Sequence, residues 1–203
     1  MAKITTIFSD VGGVLLTNGW DRDSRHKLVE KFNLDMGEFG DRHELVSTAF
    51  ETGKLDMDHY LDRTVFYKPR SFSREAVKEF MFGESRPFPD SLAFIARLAQ
   101  AKKYLMATLN NESTELNQHR VNQFGLRNYF SAFFSSCYLG VMKPDEAIYV
   151  LALELVQCPP EECVFIDDRA LNLECARWHG MNTIQFKNVS QLENDLRALG
   201  VDI

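Results

Sequence analysis

The stretch ITTIFSDVGGVLL, residues 4–16, decides how the rest of the chain is organised. Ile4 to Phe8 are β-branched or aromatic without a break, the pattern of a strand buried on both faces at the centre of a parallel sheet. Asp10 follows directly, so the strand delivers a carboxylate to the crevice where open α/β sheets bind ligands. Gly12 and Gly13 are expected to let the backbone leave the strand in a conformation a side chain would obstruct, and to let a ligand come close.

Composition bounds what that acid can do. The chain has 203 residues, 45% hydrophobic and 26% charged, enough to bury a full core. A net charge of -6 speaks against nucleic-acid and anionic-membrane partners, which call for a basic face. No stretch approaches the roughly 20 apolar residues of a membrane span, and the beginning MAKITTIF lacks a signal peptide's apolar segment, so a cytoplasmic protein is expected. The four cysteines, Cys137, Cys158, Cys163 and Cys175, form no Cys-x-x-Cys pair and are expected as buried free thiols.

Between Asn18 and Pro87 the strand pattern disappears and apolar residues recur at helical spacing: Leu28, Val29, Phe32 and Leu34; then Leu45, Ala49 and Phe50; then Tyr60, Leu61, Thr64 and Val65; then Ala76, Val77 and Phe80. Gly53 separates two of these patterns, and Asp56 or Asp58 is expected to cap the helix that follows. His26, His43, Lys54 and His59 read as a solvated polar face.

After the breaker cluster Arg86–Asp90, helix and strand alternate. A helix face from Leu92 to Ala99 precedes a strand from Tyr104 to Ala107, and a further strand covers Ala132–Ser135. A helix from Pro144 to Gln157 precedes a strand at Val164–Ile166. A helix from Leu171 to Trp178 stops at Gly180, then come a strand at Thr183–Phe186 and a helix at Gln191–Leu199. The expected fold is α/β, a Rossmann-like parallel sheet with helices on both faces, built from residues 1–17 and 88–203, with a helical bundle inserted at 18–87.

The polar residues at the strand ends are Asp10, Thr108, Lys143 before Pro144, and Asp167 with Asp168. Carboxylates from two strands make a hard-oxygen site suited to Mg²⁺, whereas Ca²⁺ takes more ligands. A carboxylate can attack phosphorus once the repulsion between the two anions is neutralised, here by a metal and Lys143, with Thr108 as a hydrogen-bond donor to a phosphoryl oxygen. Asp167 and Asp168 would alternatively cap the helix that follows them.

In this order the segments resemble the motifs of the haloacid dehalogenase (HAD) superfamily, and the resemblance runs nearly the length of the chain. Asp10-Val11-Gly12-Gly13-Val14 is similar to the first motif, Asp-x-Asp-Gly-Thr/Val; Thr108 to the second; Lys143-Pro144 to the third; Asp167-Asp168 to the fourth. The resemblance implies a Mg²⁺-dependent phosphatase of a small phosphorylated metabolite with an aspartyl-phosphate on Asp10. Asp10, the Gly12 carbonyl and Asp168 would hold the metal, Asp167 would hold Lys143 from behind, and residues 18–87 would be a cap that sets substrate choice.

One departure stands out: the family's second acid, which protonates the leaving group, would stand at position 12, and here it is Gly12. Such an acid is worth roughly 10²- to 10⁴-fold. Ser9 before the nucleophile and Leu109-Asn110 after Thr108 are smaller departures. The alternatives are a metal-independent dehalogenase-type hydrolase, against which the Asp167-Asp168 pair speaks, and a non-catalytic phosphate- or metal-binding module. A phosphoryl-receiver domain would need its acid pair near the N-terminus.

Overall fold

The computed structural model describes residues 2–203 and contains one five-stranded sheet, all of it parallel. Strand β1 (Thr6–Ser9) lies at its centre. β2 (Leu105–Asn110) and β3 (Ala132–Ser135) extend it on one side, β4 (Cys163–Asp167) and β5 (Asn182–Gln185) on the other, in the order β3-β2-β1-β4-β5. The connections leave β1 toward both edges, which opens a crevice at the carboxyl end of β1, between β2 and β4.

The period-2 alternation of the strands sorts their side chains into two cores. Ile7, Met106, Val164 and Ile184 pack on one face against α5 (Pro89–Ala101) and α10 (Val189–Ala198). Phe8, Ala107, Leu109 and Phe165 pack on the other against α8 (Glu146–Val156) and α9 (Ala170–Trp178). With both faces covered, the strands carry the near-continuous apolar runs seen in the sequence. The full burial of a side chain such as Phe8 or Phe165 stabilises by about 1.5–3 kcal/mol.

Between β1 and α5 the chain forms α1 (Arg22–Lys31), α2 (Met36–Glu51), α3 (Met57–Thr64) and α4 (Arg74–Gly83). Asp21, Asp35, Asp56 and Ser73 cap the four N-termini, each accepting from a backbone N–H of the first turn, at about 1 kcal/mol apiece. Asp56, rather than Asp58, is therefore the cap of α3. A third core joins these helices around Leu28, Phe50, Tyr60, Leu61 and Val77, with the Phe50 and Tyr60 rings stacked at 4.1 Å. Leu45, expected on the buried face of α2, is 84% exposed; Phe39, Val46 and Phe50 form that face instead. The segments entering and leaving this bundle run side by side: Leu16 bridges Pro87, Thr17 N–H donates to Arg86 C=O at 2.9 Å and Phe88 N–H to Leu15 C=O at 2.8 Å.

Two further helices, α6 (Thr114–Gln123) and the short α7 (Ser136–Leu139), follow β2 and β3. Both bind the bundle. Leu116 of α6 enters the bundle's core, the Glu115 carboxylate accepts from Met57 N–H at 2.9 Å, and Ser136 Oγ donates to Glu51 C=O at 2.6 Å. Among the described residues no helix is long and apolar enough to cross a membrane.

Candidate active site

Asp10 stands one residue past β1, 9% exposed, with Oδ1 accepting from its neighbour's amide, Val11 N–H, at 2.7 Å. Lys143, 3% exposed, comes from the loop before α8 and places Nζ 3.0 Å from Asp10 Oδ2, 2.7 Å from Asp167 Oδ2 and 2.9 Å from Leu109 C=O. Asp167, the last residue of β4, is fully buried and also accepts from Arg169 N–H and the Asn172 amide. Its oxygens are therefore occupied. Asp168 is the opposite case: its Oδ1 is buried with no hydrogen-bond partner among the described residues.

Asp10, Asp167 and Asp168 each bring a carboxylate oxygen within 4.8 Å of the others. With Asp167 taken up by Lys143, Arg169 and Asn172, Asp10 and the orphaned oxygen of Asp168 offer carboxyl donors that fit a hard divalent cation such as Mg²⁺. Burial, with Asp167 adding to it, pushes the Asp10 carboxyl above its usual range although Lys143 pulls it down. Burial and Asp167 raise Asp168 likewise. Lys143 is raised too, but toward its charged form: burial opposes its charge, and Asp10 and Asp167 outweigh that and hold the ammonium above its ordinary value.

Gly13 has φ +71°, and a Cβ there would collide with the Asp168 carboxylate, so this glycine both makes the turn and admits the acid. Gly12 differs from expectation. Its φ lies outside the left-handed region, and a Cβ would meet Asn18 Oδ1 at 3.0 Å and Arg120 Nη1 at 3.6 Å. What fills the space beside Gly12 is thus Asn18 and Arg120; the backbone there does not demand glycine.

A cavity of about 550 Å³ opens over Asp10, lined on the sheet side by Gly12, Asn111, Glu112, Ser113, Lys143 and Arg169. Thr108 is absent from this wall. β2 runs to Asn110, three residues beyond its expected end, so Thr108 lies inside the sheet opposite Ser9, fully buried with its hydroxyl unpartnered among the described residues. The positions at the strand's actual end are Asn111, Glu112 and Ser113, ahead of the N-terminus of α6.

The bundle supplies the opposite wall through Trp20, Arg25, His43, Ser47, Phe50 and Glu51. His43, read from sequence as solvated, is half-buried and shares a 2.9 Å hydrogen bond with Tyr60 Oη, which itself accepts from Trp20 Nε1–H at 3.0 Å. Tyr60 therefore donates to His43 Nδ1, and the neutral imidazole carries its proton on Nε2. Burial, with Arg25 adding to it, lowers His43 to about 4, consistent with a neutral donor at physiological pH.

Glu112 and Arg120 form a buried ion pair, Oε2 to Nη1 at 2.8 Å with side chains 7% and 2% exposed. Arg120 also donates to Thr17 C=O and Ser85 Oγ, on the two segments that join bundle and sheet. Burial pushes Glu112 up to about 7, with Glu51 and Asp10 adding to it, although Arg120 pulls it down. A group whose folded pKa is raised stabilises fully below its unfolded pKa and loses that contribution as pH rises through the folded value. Lowered His43 acts in the opposite sense only below its ordinary 6.5. From pH 6.5 to 8 the metal-free protein, with chelator present, is expected to lose on the order of 1 kcal/mol through Glu112 alone, and Asp10 adds in the same direction. Thermal melts across that interval check this; a flat or rising melting temperature contradicts it.

A family model described as haloacid dehalogenase-like hydrolase matches residues 4–180. The chain belongs to this haloacid dehalogenase-like hydrolase family. Flavin mononucleotide hydrolase 1, a chloroplast protein of Arabidopsis thaliana, is 30% identical to this HAD chain over 162 residues, 80% of this chain and 65% of the plant protein. The (S)-2-haloacid dehalogenase of Xanthobacter autotrophicus is 29% identical over 105 residues, 52% of this chain and 40% of that protein. The HAD chain thus spans less than two thirds of either curated relative. A HAD family enzyme of Bacteroides thetaiotaomicron, solved with magnesium and inorganic phosphate, superposes with a TM-score of 0.79 at 20% identity, covering 93% of this chain and 98% of that one. That likeness establishes the shared fold.

Proposed function

We propose that this HAD hydrolase is a Mg²⁺-dependent phosphatase acting on a small phosphorylated metabolite, with Asp10 as nucleophile. The observation that carries the reading is Asp10 itself: a buried carboxylate held by Lys143, clustered with Asp167 and Asp168, and open to a cavity of about 550 Å³. The magnesium-and-phosphate complex of the Bacteroides enzyme and the hydrolase activity named for the Arabidopsis relative support it.

Asp10, the Gly12 carbonyl and Asp168 would hold the ion, which when bound supplies positive charge against the phosphoryl oxygens. Asp167 keeps Lys143 in place, and Lys143 keeps one Asp10 oxygen oriented while its charge offsets the incoming dianion. The N-terminus of α6 adds oriented backbone N–H groups and the Ser113 hydroxyl, which is buried and unpartnered among the described residues. We assign to this helix start the phosphoryl contact that the sequence placed on Thr108. Asp10 attacks phosphorus, the ester oxygen departs, and water then cleaves the aspartyl-phosphate. Residues 18–87 act as the cap, presenting Trp20, Arg25, His43 and Ser47 to the non-reacting part of the substrate.

A panel of phosphate esters and 2-haloacids, run with Mg²⁺ and with chelator, tests the assignment. Ester hydrolysis that chelator abolishes is expected; haloacid turnover in chelator would instead indicate the dehalogenase chemistry of the Xanthobacter relative. Asp168→Ala removes the orphaned oxygen, and titration calorimetry should show Mg²⁺ affinity reduced at least tenfold. Unchanged affinity would place the ion elsewhere.

A further inference from the structure

We propose that Glu112 is the proton donor that the first motif of this chain lacks. The proposal rests on the phosphatase reading above and adds to it the group that lets an unactivated alcohol leave.

Asn18 and Arg120 occupy the place a side chain at position 12 would take. A side chain at position 12 would come within 3.6 Å of Arg120 Nη1, and that same atom holds Glu112 Oε2 at 2.8 Å. Gly19, at φ +71°, flanks the guanidinium on another side, and a Cβ there would overlap it. Gly19 thus makes room for an arginine from α6, with which a Cβ at position 12 would be in ordinary contact, and the arginine holds a carboxyl group from the end of β2. The acid enters the same corner of the site from the neighbouring strand.

Glu112 meets the other requirements of a general acid. It lines the cavity together with Asp10, and it is 6% exposed, so bulk water does not compete for its proton. The charged groups facing it are Arg120 from α6, Glu51 from α2 and Asp10 beyond β1; burial, with the two carboxylates adding to it, outweighs the arginine and brings the carboxyl to about 7. An acid poised near the working pH is the efficient one, and an arriving phosphate dianion favours the protonated form further. Two other titratable groups on the cavity wall are less suited. His43 is neutral with its free proton on Nε2 and a pKa of about 4, and Lys143 is committed to Asp10 and Asp167.

As the Asp10 carboxylate forms its bond to phosphorus, the bond from phosphorus to the ester oxygen breaks, and the Glu112 proton passes to that oxygen to give the free alcohol. Glu112, now a carboxylate, accepts a proton from the water that attacks the aspartyl-phosphate. Inorganic phosphate and the Asp10 carboxylate are released, and Glu112 is again protonated.

The test is the dependence of the phosphoryl-transfer step on leaving-group pKa. Aryl and alkyl phosphates are compared in single turnovers with saturating Mg²⁺, for wild type, Glu112→Gln and Glu112→Asp. Wild type should show a shallow dependence. Glu112→Gln should lose roughly 10²- to 10⁴-fold on alkyl esters while transfer from the most acidic phenols stays within a few-fold, and Glu112→Asp should recover part of the alkyl rate. With alkyl esters the wild-type rate should also fall as pH rises through about 7, and with acidic phenols it should not. A merely structural partner of Arg120 would slow both ester classes alike.

Coincident slopes for wild type and Glu112→Gln overturn the proposal and leave the phosphatase reading intact. A steep slope in wild type overturns it without any variant, which covers the case in which Glu112→Gln does not fold. Failure of wild type to hydrolyse any phosphate ester overturns both.

Discussion

Replacing Asp10 with asparagine is expected to reduce turnover at least about 10⁴-fold while the protein remains folded, because the amide cannot form the covalent intermediate. The fold should survive for an electrostatic reason. Asp10 is a buried carboxylate whose ionisation is opposed by burial and by Asp167, so a neutral isostere removes a charge the folded state holds at a cost. The single amide oxygen can keep either the bond from Val11 N–H, which Oδ1 accepts, or the place of Oδ2 beside Lys143, and the loss of the other contact offsets part of that gain. At pH 8 in chelator, Asp10→Asn should therefore melt close to wild type. Steady-state assays with a phosphate ester and thermal melts on the same preparations check both halves, and activity within tenfold of wild type would remove Asp10 from the role of nucleophile.

Lys143→Met should have the largest effect on stability. It keeps most of the apolar stem but strands Asp10, Asp167 and Leu109 C=O, which together receive Nζ in a site only 3% exposed. Removing one partner of a buried charge cluster typically costs about 3–5 kcal/mol, which for a chain of this size lowers the melting temperature by roughly 6–20 °C. The loss should depend on pH with a definite sign: Asp10 is already inclined to hold its proton, so the deficit is greatest near pH 8 and shrinks toward pH 5. Adding Asp10→Asn to Lys143→Met should return part of the stability. If Lys143→Met melts like wild type at pH 8, the buried cluster is not the electrostatic knot described above.

Most of the sheet was legible because its strands are buried on both faces and consist of uninterrupted β-branched and aromatic residues. The helices of the bundle were legible from spacing, although Leu45 shows that an apolar residue at the right period can still face solvent. Helix α6 escaped notice for a physical reason. Its buried positions are Leu116, Asn117, Arg120 and Val121, half of them polar, so the binary pattern is broken. Those polar groups are satisfied by partners outside the helix: Asn117 by Asn110 and Ser135, Arg120 by Glu112, Thr17 and Ser85.

The missed helix carries the arginine that lies beside Gly12 and requires Gly19, and no local sequence signal links positions 12, 19, 112 and 120. The acid motifs were readable because each follows an apolar strand. Thr108 was misplaced because the apolar run of β2 continues past it through Leu109, and nothing in that run marks where the sheet stops.

The guanidinium of Arg120 has a mechanical consequence. Its three nitrogens are gripped by Glu112, by Thr17 on the segment leading into the bundle, and by Ser85 near the segment leading out. A swing of the bundle about those two crossing segments must either carry the arginine along or tear it from the glutamate. The latch that registers the bundle's position is therefore fastened to the acid of the site, so an open cavity and an acid in its firing position are hard to have together, and premature loss of the proton to entering water is discouraged by leverage alone.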